Sequence, residues 1–277
     1  MKAARDCYQC LRRLVYQAAE LATSDAPLRA KTIEEGLRII EHNFSYNEMT
    51  ITIATKIHRA VQEITGNPDP YRGIKDEEIR ISRELCQGLT PAQDFKSLLQ
   101  LSVLGNSMDY FRGADSIKRE LGRPVKFAID DSNRFAGKLS PGAHVLYLAD
   151  NTGEVFFDLP LIKWIEQKAE VTYVVKESPV ADDITLDDLK RTGLDGELRK
   201  VITTGTATPG VVLALASEEF KKELESAELV LAKGMGYYEA LSELPGKGKI
   251  LFCLIAKCKP VADSLQVPLN SYVAMLC

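Results

Sequence analysis

Short apolar runs recur through the second half of this 277-residue chain, at residues 144–149, 171–176, 200–204, 229–232 and 250–256. They are rich in β-branched, aromatic and leucine side chains. Their length suits strands buried on both faces rather than helices. The first is His144-Val145-Leu146-Tyr147-Leu148-Ala149, set off upstream by Pro141-Gly142. Between the runs the spacing turns helical. Val155, Leu159, Ile162 and Ile165 fall in helical phase, and Thr185-Leu186-Asp187-Asp188 has the form of a capping box. Residues 217–227 read as a charged helix, and Pro209-Gly210 as the start of another. Strands alternating with short helices imply parallel βαβ units, so the expected fold class is α/β with a Rossmann-like, mostly parallel sheet. Residues 272–276 read as a terminal edge strand.

The first 95 residues differ. Leu11, Leu14, Val15, Ala18 and Leu21 form one apolar face. Ile33, Leu37 and Ile40 form a second, and Ile53, Ile57, Val61 and Ile64 a third. Gly66-Asn67-Pro68-Asp69-Pro70 stops the third helix, and helical spacing resumes over 75–86 with Ile79, Ile81 and Leu85. The expectation is an N-terminal all-helical subdomain at 1–95 followed by a Rossmann-like domain at 96–277. That second unit opens with an apolar helix over 95–104, a short strand over 125–129, and a helix begun by Asp130 and Asp131.

Composition narrows the function classes. Apolar residues make up 45%, enough for a full core. With 35 basic against 39 acidic residues and no dominant lysine or arginine run, nothing points to nucleic acid. No apolar run approaches the roughly 20 residues needed to cross a bilayer, and Met1-Lys2-Ala3-Ala4-Arg5-Asp6 lacks an apolar signal core. The expectation is a cytoplasmic protein, monomeric or a small homo-oligomer. The six cysteines are too sparse for a disulfide scaffold. Cys7-Tyr-Gln-Cys10 offers two thiols on one helical turn, where a structural zinc site needs about four ligands.

The strand ends carry the chemistry. They hold Asp150-Asn151, Asp182-Asp183, Lys233-Gly234 and Lys257. In a parallel sheet these ends share one edge, where open α/β sheets place ligands. Asp150 or Asn151 alone could simply cap the helix that follows. Two acidic and two lysine ends on one edge instead suit a divalent cation beside an anion. Carboxylate and amide oxygens fit a hard ion such as magnesium or manganese. Such an ion polarises a phosphoryl oxygen while lysines meet the others, and Gly234 permits close backbone approach. Asn106 and Asp109, three apart, fall on one helical face.

These motifs resemble the metal-dependent damage-control phosphatases, formerly domain-of-unknown-function family eighty-nine, in their archaeal-type CxxC branch. The likeness runs through Cys7-x-x-Cys10, Asp69-Pro70-Tyr71 with Lys75, Gly105-Asn106-x-x-Asp109, Asp150-Asn151-Thr152-Gly153-Glu154, Lys176-x-x-Pro179 with Asp182-Asp183, Lys233-Gly234-Met235-Gly236 and Lys257-Cys258-Lys259-Pro260. The resemblance implies a helical cap on a Rossmann-like sheet. It implies that Asp150, Asn151 and Asp183 hold manganese, nickel, cobalt or magnesium. Lys233 and Lys257 then meet the phosphate, and Asn106, Asp109, Glu154, Lys176 and Gly234 line the substrate site. Departures from the family pattern are Thr152 for alanine, Asp182 for asparagine, Tyr237 for asparagine and Asn270 for glycine. The Asp182 departure leaves open which of the two acids is the ligand.

The expected function is a metal-dependent phosphomonoester hydrolase acting on small phosphorylated metabolites, sugar phosphates among them. Water attack and an aspartyl-phosphate route both fit the residues. Two alternatives come from other classes. An S-adenosylmethionine-dependent methyltransferase would have a glycine-rich turn after the first strand, where Asp150-Asn151-Thr152-Gly153 has one glycine. A non-catalytic metal- or nucleotide-binding protein would show no turnover.

Overall fold

The computed structural model describes residues 1–89, 93–106, 125–245 and 248–277. Helices come first: α1 (Arg5–Ala22), α2 (Ala26–Asn43), α3 (Thr50–Thr65), α4 (Arg72–Cys86) and α5 (Phe95–Gly105). Strand β1 (Phe127–Asp130), the short α6 (Ser132–Ala136) and β2 (His144–Leu148) follow. Alternation then runs through α7 (Val155–Ile165), β3 (Glu170–Val175), α8 (Leu186–Thr192), β4 (Val201–Thr203), α9 (Glu218–Ser226) and β5 (Leu229–Lys233). The chain closes with α10 (Gly234–Leu241), β6 (Ile250–Ile255), α11 (Lys259–Leu265) and β7 (Tyr272–Leu276).

Local chemistry accounts for many boundaries. Asp25, Asp94 and Ser217 cap α2, α5 and α9 by accepting from the backbone of Leu28, Ser97 and Phe220. Thr185 and Asp188 form the reciprocal box at the start of α8. Gly66 takes the left-handed conformation that ends α3.

The sheet order is β1-β7-β6-β5-β2-β3-β4. Strands β6, β5, β2, β3 and β4 run parallel, while β7 is antiparallel to β6 and parallel to β1. The chain leaves β2 toward β3 and β4, then returns to place β5 on the other side of β2. The crevice at the C-terminal ends of β2 and β5 is therefore the topological switch point.

Period-two alternation splits the core. Val145, Tyr147 and Ala149 face α5 and α7 on one side, and Leu146 and Leu148 face α9 and α10 on the other. A separate apolar cluster joins α1, α2 and α3 with Ile74 of α4 and Tyr71 just before it. These helices meet the rest where α4 packs on α7 and on the turn after β2, and where α3 meets α10. No helix among the described residues is long and apolar enough to cross a membrane.

Two expectations are corrected. Residues 272–276 form a strand but not an edge, because β1 pairs along its outer side, Ile129 against Val273. Pro209-Gly210 does not start a helix. Gly210 has φ +61°, and a Cβ there would lie 2.2 Å from the Gly236 carbonyl oxygen. The segment instead lies as a turn against the start of α10.

Candidate active site

The central strand β2 delivers Asp150 and Asn151 to the sheet edge, and the loop after β3 folds back onto them. Ile184 N–H donates to the Asp150 carbonyl at 2.9 Å, and Asn151 forms an isolated antiparallel bridge with Asp183. Thr152 donates to the Asp182 carbonyl through both its N–H, at 2.9 Å, and its hydroxyl, at 3.0 Å. The Thr152 hydroxyl thus fastens the two loops together. Gly234 supplies the third wall. With φ +76°, a Cβ on it would fall 1.8 Å from Asp150 Oδ2, so only glycine lets the start of α10 lie against that carboxylate.

Asp150 and Asn151 are half-buried and Asp183 is buried. Burial pushes the Asp150 carboxyl well above its ordinary value; the Glu154 and Asp183 carboxylates add to the rise, and Lys176 and Lys257 oppose it. Asp183 is pushed up to about 6, chiefly by burial and against the pull of Lys176. Asp183 Oδ2 is buried, forms an ion pair with Lys176 Nζ at 3.3 Å and makes no hydrogen bond among the described residues. The neighbouring Asp182 instead bears on Glu78 and Tyr71 of the helical layer.

Beside this floor lies a closed polar cluster. Asn106, at the end of α5, donates from Nδ2 to Asp150 Oδ2 at 2.9 Å and to Glu154 Oε1 at 2.8 Å. Its Oδ1 accepts from Ile255 N–H at 3.2 Å. Lys233 Nζ is fully buried and meets Glu154 Oε2 at 2.8 Å, Asp158 Oδ1 at 2.7 Å and the Ser102 carbonyl at 2.9 Å. All three ammonium donors are thereby engaged. Burial alone would lower this ammonium, but Asp158 and Glu154 reverse the effect and hold it above its ordinary value. Ser102 Oγ also donates to Asp158 Oδ1 at 2.6 Å.

Lys176 is buried as well. Its Nζ donates to the Gly210 carbonyl and, at 3.0 Å, to the Tyr237 hydroxyl. It sits 4.1 Å from the centre of that ring. Lys257 differs from both. It is half-exposed just beyond β6, its charge is felt at Asp150, and no acceptor among the described residues pairs with its ammonium. It also lines a groove of about 1380 Å³ that extends past Gly236 and Cys258 to α1 and α3. Asp109 lies outside the described residues.

Ser102, Asp158 and Gly210 were missed by the sequence reading. Spacing held a signal for two of them. Asp158 follows Glu154 by four residues and Ser102 precedes Asn106 by four, the separation that puts two side chains on one helical face.

No group of three His, Cys, Asp or Glu side chains able to hold a metal occurs among the described residues. Asp150, Asn151 and Asp183 offer two carboxylates and an amide, so the set has too few carboxylates to make such a group. Its chemistry nevertheless fits a hard divalent cation: every ligand atom is oxygen, and the buried Asp183 Oδ2, ion-paired with Lys176, has no hydrogen bond among the described residues.

Fold and site together describe an α/β protein with an oxygen-rich, cation-flanked crevice at its switch point. Over residues 3–273 the chain matches the damage-control phosphatase ARMT1-like domain. A damage-control phosphatase of Archaeoglobus fulgidus is 36% identical over 99% of both chains. One from Pyrococcus horikoshii is 32% identical over 99% of this chain and 98% of its own. The crystal structure of a DUF89 family protein from Pyrococcus horikoshii superposes with a TM-score of 0.90 at 32% identity, covering 100% of this chain and 99% of that one. The chain belongs to the ARMT1-like damage-control phosphatase family.

Proposed function

We propose that the crevice hydrolyses phosphate monoesters of small metabolites with the help of a divalent cation held by Asp150, Asn151 and Asp183. The observation that carries this reading is the Asn151–Asp183 bridge, which joins two acidic loops near Lys257, whose charge is felt at Asp150 and whose ammonium pairs with no acceptor among the described residues. Relatives named damage-control phosphatases over nearly the whole length support it. The bound cation supplies a Lewis acid that draws charge from a phosphoryl oxygen.

The chain's own groups do the rest. Asn106 fixes Asp150 by binding Oδ2 and holds Glu154 from the same amide nitrogen. Lys176 sets Asp183 from behind and is a support for the site, not a group that meets substrate. Lys233, with all its donors engaged, compensates Glu154 and Asp158 beneath the crevice. Lys257 is then the cation that meets the phosphate. Of the two acids, Asp183 fits the ligand role because it bridges Asn151, while Asp182 bears on Glu78 and Tyr71 of the helical layer.

The test is turnover of a chromogenic phosphate ester with manganese, cobalt, nickel or magnesium. The parent should show metal-dependent hydrolysis, and Asp150→Ala should lose it while melting as the parent does without metal. Full activity in Asp150→Ala sinks the assignment.

A further inference from the structure

We propose that Lys75, in the helical layer, is a positioning residue that sets the Asp183 loop against Asp150. The proposal rests on the reading of Asp183 as a metal ligand. Lys75 has no exposed surface, and its Nζ lies 3.1 Å from Asp188 Oδ2 and 3.4 Å from Asp69 Oδ2. Asp188 Oδ2 also accepts from Thr185 N–H at 3.0 Å and Thr185 Oγ1 at 2.7 Å. Thr185 bridges Lys176, whose N–H donates to the Ile184 carbonyl at 2.8 Å. Ile184 N–H in turn donates to the Asp150 carbonyl at 2.9 Å. An unbroken series of bonds therefore runs from α4 to the base of the crevice, through the residues that follow Asp183.

The loop is held at its other end too. Gln62 on α3 donates to the Pro179 carbonyl at 2.8 Å and to the Pro68 carbonyl at 3.0 Å. Between the two grips Ala181 adopts φ +45°, a conformation that a residue with a Cβ keeps only when its surroundings impose it. A buried ammonium is a poor choice for stability alone, because an apolar side chain of similar volume often serves as well. The lysine instead gives a specific, directional link between layers. Without it, Asp188 keeps its bonds to Thr185 and to Arg191 Nη1, at 2.6 Å, so α8 stays capped while its tie to α4 is lost.

The experiment is calorimetric titration of manganese into the parent, Lys75→Met and Gln62→Leu, with melting in chelator as the folding control. Partners that orient metal ligands typically contribute about 10–100-fold in affinity. Lys75→Met should fold and bind manganese at least about tenfold more weakly, and Gln62→Leu should shift in the same direction. Should Lys75→Met fail to fold, Gln62→Leu decides by the same measure. Parent-like manganese affinity in a folded variant overturns the positioning role and leaves the metal site standing. A parent that binds no manganese overturns the metal site, and this inference with it.

Discussion

Lys233 and Lys257 end adjacent parallel strands on the same edge, yet the structure treats them differently. Lys233 points into protein, where two carboxylates and a carbonyl take its three donors. Lys257 is half-exposed and pairs with no acceptor among the described residues, though its charge reaches Asp150. One lysine completes a closed cluster and the other leaves charge available for a ligand. Position at a strand end therefore sets the edge of the sheet, while neighbouring elements set the role. The Ser102 carbonyl of α5, Glu154 just before α7 and Asp158 on α7 draw Lys233 inward. No comparable acceptor among the described residues pairs with Lys257.

The largest effect is expected from breaking the closed side. Lys233→Met leaves Glu154 and Asp158 buried without their cation, which typically costs about 3–5 kcal/mol. The melting temperature should fall on the order of 10 °C. A variant that melts like the parent but loses only turnover would show that Lys233 belongs with Lys257 after all.

Lys257→Met probes the open side. Its thermal stability should stay within about 0.5 kcal/mol of the parent, as for a surface change. Its kcat/KM should fall about 100-fold, by analogy with the loss of one donor to developing negative charge. Inorganic phosphate should inhibit it more weakly than the parent. Equal kcat/KM in the two proteins removes Lys257 from the site.

That difference shows what was legible in the sequence. The strands, the cap at Thr185 and the left-handed stop at Gly66 are encoded in a few consecutive residues, so local pattern found them. Parallel topology puts Asp150 and Asn151 on the ligand edge, while Asp183 reaches them only because the loop after β3 folds back, through the Ile184 bond to the Asp150 carbonyl and the Asn151–Asp183 bridge. The inward turn of Lys233 does not follow from topology either, because it depends on Ser102, more than a hundred positions away in the chain. The strand order hid the burial of β7 behind β1 for the same reason. Pro209-Gly210 misled because proline near a turn is a helix-start signal, while here the glycine serves a close approach to Gly236.

A buried titratable group with no ionic partner among the described residues gives a further contrast. His58 on α3 packs edge-on against Tyr71, with ring centres 5.7 Å apart, and burial lowers it from 6.5 to about 4. Between those values the unfolded chain takes up a proton that the folded chain excludes. The stability that neutral His58 contributes is therefore complete above pH 6.5 and is lost as pH falls toward 4. At pH 5 the loss amounts to roughly 2 kcal/mol. His58→Phe keeps the packing and lacks the titration, so its urea midpoint should decline less between pH 7 and pH 5. Identical declines in the two proteins would show that His58 is not buried neutral. Lys233, whose carboxylates hold its charge, should give no such slope in this range.

The smallest effect is expected at the cysteines, and it tests how far the open side extends. Cys7 and Cys10 lie on α1, one buried and one exposed, and line the same groove as Lys257. Burial raises the Cys7 thiol, so it stays protonated at neutral pH, and thiolates are in any case poor ligands for hard cations. If catalysis needs only Asp150, Asn151, Asp183 and Lys257, the paired change Cys7→Ser with Cys10→Ser should leave kcat and KM within about twofold of the parent. A small loss of stability at Cys7 is expected, because a hydroxyl replaces a sulfur that accepts from Ala4 N–H at 3.4 Å. A raised KM at unchanged kcat would place part of the substrate along α1. A fall in kcat at unchanged stability would instead mean that the thiols act on the crevice itself, and the division between a closed cluster and an open rim would have to be redrawn around them.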